Sequence, residues 1–205
     1  EDFQESEGLQ EAEKIKKDAD RLAQLKQYKT SIEEYENALT MYPYTGDEDD
    51  LYERAADFIF KANFNIAACY SYLNDFENAI NFFEKALQVK NVSDDNQVKA
   101  LMGMGTTHYK KKLLVDGRHK EHVAMDTEWE IDDKKIDEYK KEDQKNSFIK
   151  QSYDCFEKAT ELDKDNIDAW YSKGHMEFLM EQAKEAVQSF DNVISINKNY
   201  ENKES

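Results

Sequence analysis

One stretch of this chain constrains its fold more than any other feature, because the stretch occurs more than once. Phe60–Asn91 reads FKANFNIAACYSYLNDFENAINFFEKALQVKN. Ile66, Ala67 and Tyr70 precede a turn at Asn74-Asp75, and Ala79, Phe83 and Ala86 then fall on one face of a second helix. The same slots recur in Ile167–Tyr200, filled by Trp170, Gly174, Ala186, Phe190 and Val193. Self-similarity at about 34 residues marks a unit that cannot bury its own apolar face and must stack on its neighbours. The expected fold class is therefore all-α, built of antiparallel helix pairs. Composition agrees, since one proline and six glycines in 205 residues are too few turn formers for a many-stranded sheet.

The spacing matches the tetratricopeptide pattern, Trp-x2-Leu-Gly-x2-Tyr, then Ala-x3-Phe, then Ala-x4-Pro. Asn63 and Asn91 replace its Trp and Pro in one copy, and Glu177 and Lys198 replace its Tyr and Pro in the other. The pattern is steric in origin: small Ala67 and Ala79 let two helices cross closely while Tyr70 and Phe83 fill the space beside them. The chain thus resembles tetratricopeptide-repeat proteins, and the resemblance implies a right-handed superhelix of antiparallel helix pairs.

Two further repeats follow the same slots. Ile15, Ala19 and Leu22 supply a first helix and Ser31, Tyr35, Ala38 and Pro43 a second. Between this repeat and the next, the acidic loop Gly46–Asp50 leads into a long helix through Phe60. Leu101, Met104, Gly105 and His108 open the third repeat, and Ser152, Phe156 and Ala159 close it. The predicted organisation is an acidic tail over 1–11, one array over 12–200 and a polar tail over 201–205. Repeats fall at about 12–45, 60–93, 98–166 and 167–200, with 111–145 as an insertion in the third. A degenerate fifth repeat is the alternative for 111–145, but Gly117 and Glu121 would then occupy the packing positions of its second helix. From Trp129 onward the insertion is charged and without breakers. Its spacing pairs Asp137 with Lys141, and it is expected to extend the helix that runs through Leu162.

Charge and composition exclude several function classes. Hydrophobic residues make up 39% and aromatic residues 12%, enough for a packed core alongside 36% charged residues. A net charge of -17 repels a phosphate backbone, so nucleic acid is not an expected partner. No apolar run is long enough to span a bilayer, so no membrane insertion is expected, and Glu1–Gly8 does not read as a signal peptide. The expected location is cytoplasmic. Cys69 and Cys155 sit in helical apolar patterns and read as buried reduced thiols.

No catalytic constellation emerges, and no cofactor is expected. His119 and His122 are three apart but lack further ligands to complete a metal site. Gly103-Met104-Gly105 lacks the rest of a phosphate loop and reads as helix packing. Cys155 has no histidine partner fixed by the sequence.

The inner face of the first helices is more informative. Repeat position turns Lys16, Lys17 and Asp20, then Lys61, Phe64, Asn65 and Ala68, then Lys99, Met102 and Thr106, then Tyr171, Ser172 and His175 toward a groove. Lysines converging there, with Phe64 and Met102 as apolar contacts, suit an acidic extended peptide.

Residues 12–110 resemble the tetratricopeptide domains of immunophilin-type co-chaperones. The likeness rests on Arg54-Ala55-Ala56 through Phe64-Asn65-Ile66-Ala67-Ala68-Cys69-Tyr70. What the resemblance implies is a clamp for the C-terminal carboxylate of a heat-shock chaperone, held by Lys16, Asn65 and Lys99. Asp20 stands where that group has Asn and Gly103 where it has Arg, so repulsion replaces one donor and a guanidinium fork is missing. The expected function is a non-catalytic protein-protein interaction adaptor with Lys16, Asn65, Lys99, Lys61, Phe64 and Met102 at its peptide site. The alternatives are a structural subunit of a larger assembly, or the repeat half of a peptidyl-prolyl isomerase.

Overall fold

In the computed structural model the backbone is described over residues 2–42, 49–117 and 133–204, and side chains over 8–42, 55–117 and 133–198. Pro43, Gly46, His119, His122 and Trp129 lie outside these residues.

Among the described residues there are nine helices and no strand. They are α1 (Asp2–Gln24), α2 (Tyr28–Met41), α3 (Asp49–Tyr72), α4 (Phe76–Gln88), α5 (Asp94–Val115), α6 (Asp133–Lys145), α7 (Phe148–Leu162), α8 (Ile167–Leu179) and α9 (Ala183–Glu204). The chain divides into two compact units, residues 1–100 and residues 101–205.

Consecutive helices pair because the small residues at their crossings are fully buried. In the first unit Ala19, Ala67 and Ala79 have no exposed surface, and Tyr35 and Phe83 fill the flanks. In the second unit the crossing residues are glycines for a reason of space. A Cβ on Gly105 would stand 2.7 Å from the Phe156 ring, and one on Gly174 would stand 2.9 Å from the Phe190 ring.

The turns inside the pairs share one chemistry. Lys26, Asn74 and Glu181 adopt left-handed φ of 60°, 59° and 62°. That conformation lets two backbone N–H groups reach back to the preceding turn, as Gln27 to Leu22 and Lys26 to Ala23, both 2.9 Å. Asp75 and Asn166 cap α4 and α8, accepting from the Asn78 and Ala169 N–H groups.

The segment between α5 and α7 departs from expectation. α5 runs to Val115, with Leu113 and Leu114 buried, so the third repeat's first helix enters the range expected of the insertion. The charged helix does not continue through Leu162. It stops at Lys145, and Ser147 caps a new helix by accepting from the Lys150 N–H. Asp137 pairs with Lys140 rather than Lys141. One face of α6 is not solvated: Tyr139 is buried, and Lys111 lies 4.4 Å over its ring while bonding Glu142 at 2.7 Å. Lys112 bonds Asp143 at 2.9 Å. Cys69 and Cys155 are buried thiols joined in no disulfide, in the apolar settings expected of them.

Candidate functional site

The first unit contains an open pocket of about 440 Å³ between α1, α2 and α3. Its lining includes Asp20, Gln24, Lys26, Tyr28, Tyr35, Asn65, Cys69 and Tyr72. Polar groups from three helices meet in a node in its wall, two from α1 and one each from α2 and α3. Asp20 on α1 accepts at Oδ1 from the Tyr35 hydroxyl (2.5 Å) and from the Asn65 amide (3.0 Å), and at Oδ2 from the Lys16 ammonium (3.1 Å). The Asn65 amide also donates to the Tyr35 oxygen at 3.0 Å.

The node is built from repeat geometry. Tyr35 occupies the slot that holds Phe83, Phe156 and Phe190 elsewhere, and its ring is buried while its hydroxyl reaches Asp20. Burial, then the Asp20 acceptor, pushes the Tyr35 hydroxyl well above its ordinary range, which keeps it a neutral donor. Burial likewise pushes up the Cys69 thiol, which approaches Ser31 Oγ at 3.7 Å. At the mouth, Tyr28 and Tyr72 stack with centroids 5.0 Å apart and planes 8° apart, and Tyr72 is exposed. Hydroxyls, an amide, an ammonium and a satisfied carboxylate surround this space, the equipment of a polar binding site.

The expected site residues divide three ways. Lys16 and Asn65 meet at Asp20. Lys61 and Lys99 are held by carboxylates four residues earlier on their own helices, Asp57 at 2.6 Å and Asp95 at 2.5 Å. Phe64 packs between rings, 5.9 Å from Phe60 and 5.7 Å from Phe83. Met102 belongs to the second unit, where it packs on Ile149, Phe156 and Met176. The sequence reading missed Tyr28, Tyr35 and Tyr72 as site residues. Its signal for Tyr35 was a hydroxyl in a phenylalanine slot, one turn of reasoning away from Asp20.

Among the described residues no helix is long and apolar enough to cross a membrane. No group of three or more His, Cys, Asp or Glu is placed to hold a metal ion there.

Comparison with known proteins gives the same architecture. Residues 60–90 and residues 167–200 each match a model described as tetratricopeptide repeat. Among solved structures, MamA (residues 41 to end) from Desulfovibrio magneticus RS-1 superposes with a TM-score of 0.57 at 14% identity, covering 92% of this chain and 76% of that one. The C-terminal TPR-containing domain of a Plasmodium falciparum protein described as FK506-binding superposes with a TM-score of 0.56 at 20% identity, covering 88% of this chain and 95% of that domain. At these identities the likeness establishes the fold. Together, the two matched repeats and the helix-pair fold support a protein-protein interaction adaptor.

Proposed function

We propose that this tetratricopeptide-repeat protein is a non-catalytic adaptor that holds an extended peptide of its partner in the first-unit pocket. The observation that carries the reading is the convergence of Lys16, Tyr35 and Asn65 on one carboxylate. Three donors from three helices define a carboxylate-binding geometry, and charge-assisted bonds of this kind are about twice as strong as neutral ones. At rest the carboxylate they hold is the chain's own Asp20.

A finer version follows, in which the ligand is an acidic C-terminus such as that of a heat-shock chaperone. The ligand's carboxylate takes the donors from Asp20. Lys61 and Lys99 then join at small cost, because their present ion pairs are half exposed or more and contribute roughly 0.3–0.5 kcal/mol each. Asp20 opposes the same ligand by like charge, which makes it the residue that sets affinity.

Fluorescence polarisation tests this with two labelled peptides of one acidic sequence, ending in a free carboxylate or in an amide. The free acid is expected to bind more tightly, and Lys16→Ala with Asn65→Ala to remove the difference. Equal binding of both peptides would refute capture of the terminal carboxylate and leave a pocket that holds a peptide along its length.

A further inference from the structure

The donor node accounts for only part of the first-unit pocket. Lys16, Tyr35 and Asn65 hold a single carboxylate, whereas the pocket encloses about 440 Å³, room for a large side chain as well. The rest of the lining is of another kind. Ala23 and Ala68 contribute methyl groups, Cys69 a buried thiol, and Tyr28 and Tyr72 a stacked pair of rings. Tyr72 keeps 56% of its surface in solvent despite the stack, which leaves ring surface for a ligand to cover.

The distance between node and rings is set by the helices. Tyr35 meets Asn65, and Tyr28 meets Tyr72. Tyr28 stands seven residues before Tyr35 on α2, and Tyr72 seven after Asn65 on α3, so the two contacts are about two turns apart along antiparallel helices. At about 1.5 Å per residue, the ring pair lies about 10 Å from the node. One amino acid spans that gap. In a C-terminal phenylalanine the ring centre is about 5 Å from the carboxyl carbon, across three bonds of about 1.5 Å and half a ring. Interacting rings have centres about 4.5–7 Å apart, which supplies the remainder.

We infer, on the reading that the node holds a ligand's terminal carboxylate, that the residue bearing this carboxylate is aromatic, with its ring lying against Tyr28 and Tyr72. Other side chains use the site less fully. A terminal aspartate places a second charge beside apolar rings, where it finds no donor from them. A terminal lysine or arginine meets the like charge of Lys26 in the same lining. A leucine covers the rings but forgoes the ring–ring geometry. Lys61, four residues before Asn65, lies beyond the node from the rings, on the side where acidic residues preceding the last one belong.

The test uses four fluorescein-labelled peptides of one acidic sequence, titrated against the full chain by fluorescence polarisation. Three end in phenylalanine, leucine or alanine with a free carboxylate, and the fourth in phenylalanine amide. The phenylalanine acid is expected to bind roughly tenfold more tightly than the alanine acid and about threefold more tightly than the leucine acid. Tyr72→Ser, at an exposed position, should abolish the preference for phenylalanine over leucine and keep the difference between free acid and amide. Circular dichroism checks that this variant is folded, and the peptide series on the unaltered chain decides without it. If the phenylalanine acid binds no better than the alanine or the leucine acid, the inference is overturned, while a remaining gap between acid and amide leaves the pocket reading intact. A preference for phenylalanine that survives Tyr72→Ser also overturns it. Equal binding of phenylalanine acid and amide refutes instead the carboxylate capture on which the inference stands.

Discussion

The two units follow one plan and fill it with different chemistry. In each, the leading pair locks its crossing with a serine: Ser31 Oγ donates to the Ala19 carbonyl and Ser152 Oγ to the Gly105 carbonyl, both at 2.8 Å. Beyond that the units diverge. The first places alanine at its crossings and a tyrosine in one ring slot, and the extra hydroxyl turns a packing position into the polar node at Asp20. The second places glycine at its crossings with a phenylalanine ring pressed onto each, and it buries Lys111 and His108 instead. The lesson is that binding chemistry in such an array comes from single changes at packing positions, while the packing itself is preserved.

The largest expected effect separating the units is pH dependence. His108 is 9% exposed, its Nδ1 meets no hydrogen-bond partner, and burial, then the Lys111 charge, lowers its pKa from 6.5 to about 4. A folded pKa below the unfolded value contributes stability that is complete above about pH 6.5 and is lost as pH falls toward 4, roughly 3 kcal/mol in all. Hydrogen exchange read unit by unit should show residues 101–205 loosening across this window more than residues 1–100. His108→Phe should flatten the second unit's response, and equal loosening of both units would break the comparison.

Next in size is an exchange expected to change sign between units. At Gly105→Ala the new methyl meets the Phe156 ring, and overpacking of about 1–3 kcal/mol outweighs the ~1 kcal/mol that alanine gains in helix propensity. At the corresponding Ala67 the methyl already has room, so Ala67→Gly should also destabilise, by about 1 kcal/mol. Urea midpoints for the two variants check both directions.

The smallest effect should be shared. Lys26 and Glu181 hold left-handed turns that glycine adopts freely, so Lys26→Gly and Glu181→Gly should each raise stability by about 0.5–1 kcal/mol. A gain at one turn and a loss at the other would show that the turns are not equivalent.

Much of the fold was legible because its code is steric. Ala67, Ala79 and Gly174 mark close crossings by size alone, and their spacing placed the helix pairs. The break at Asn146-Ser147 was harder to read, since it lies in a charged run without proline or glycine and depends on one serine as a cap. Burial of Tyr139 was hidden by the polarity of its own helix, whose cationic contact comes from Lys111 on α5, far away in sequence. At the candidate site, repeat position turned Lys16, Asp20 and Asn65 to one face. It did not show that Asp20 would capture the other two, because that depends on side-chain distances rather than spacing.

Asp20 is where the pocket reading is most directly tested. Calorimetric titration of the free-acid peptide against the wild-type chain and Asp20→Asn compares a site filled by its own carboxylate with one whose donors are released. Removing the like charge and freeing one charged hydrogen bond, about 1.5–3 kcal/mol, should tighten binding roughly tenfold or more, with affinity falling as salt rises. Unchanged or weaker binding by Asp20→Asn would contradict the assignment of Lys16, Tyr35 and Asn65 to the ligand's carboxylate.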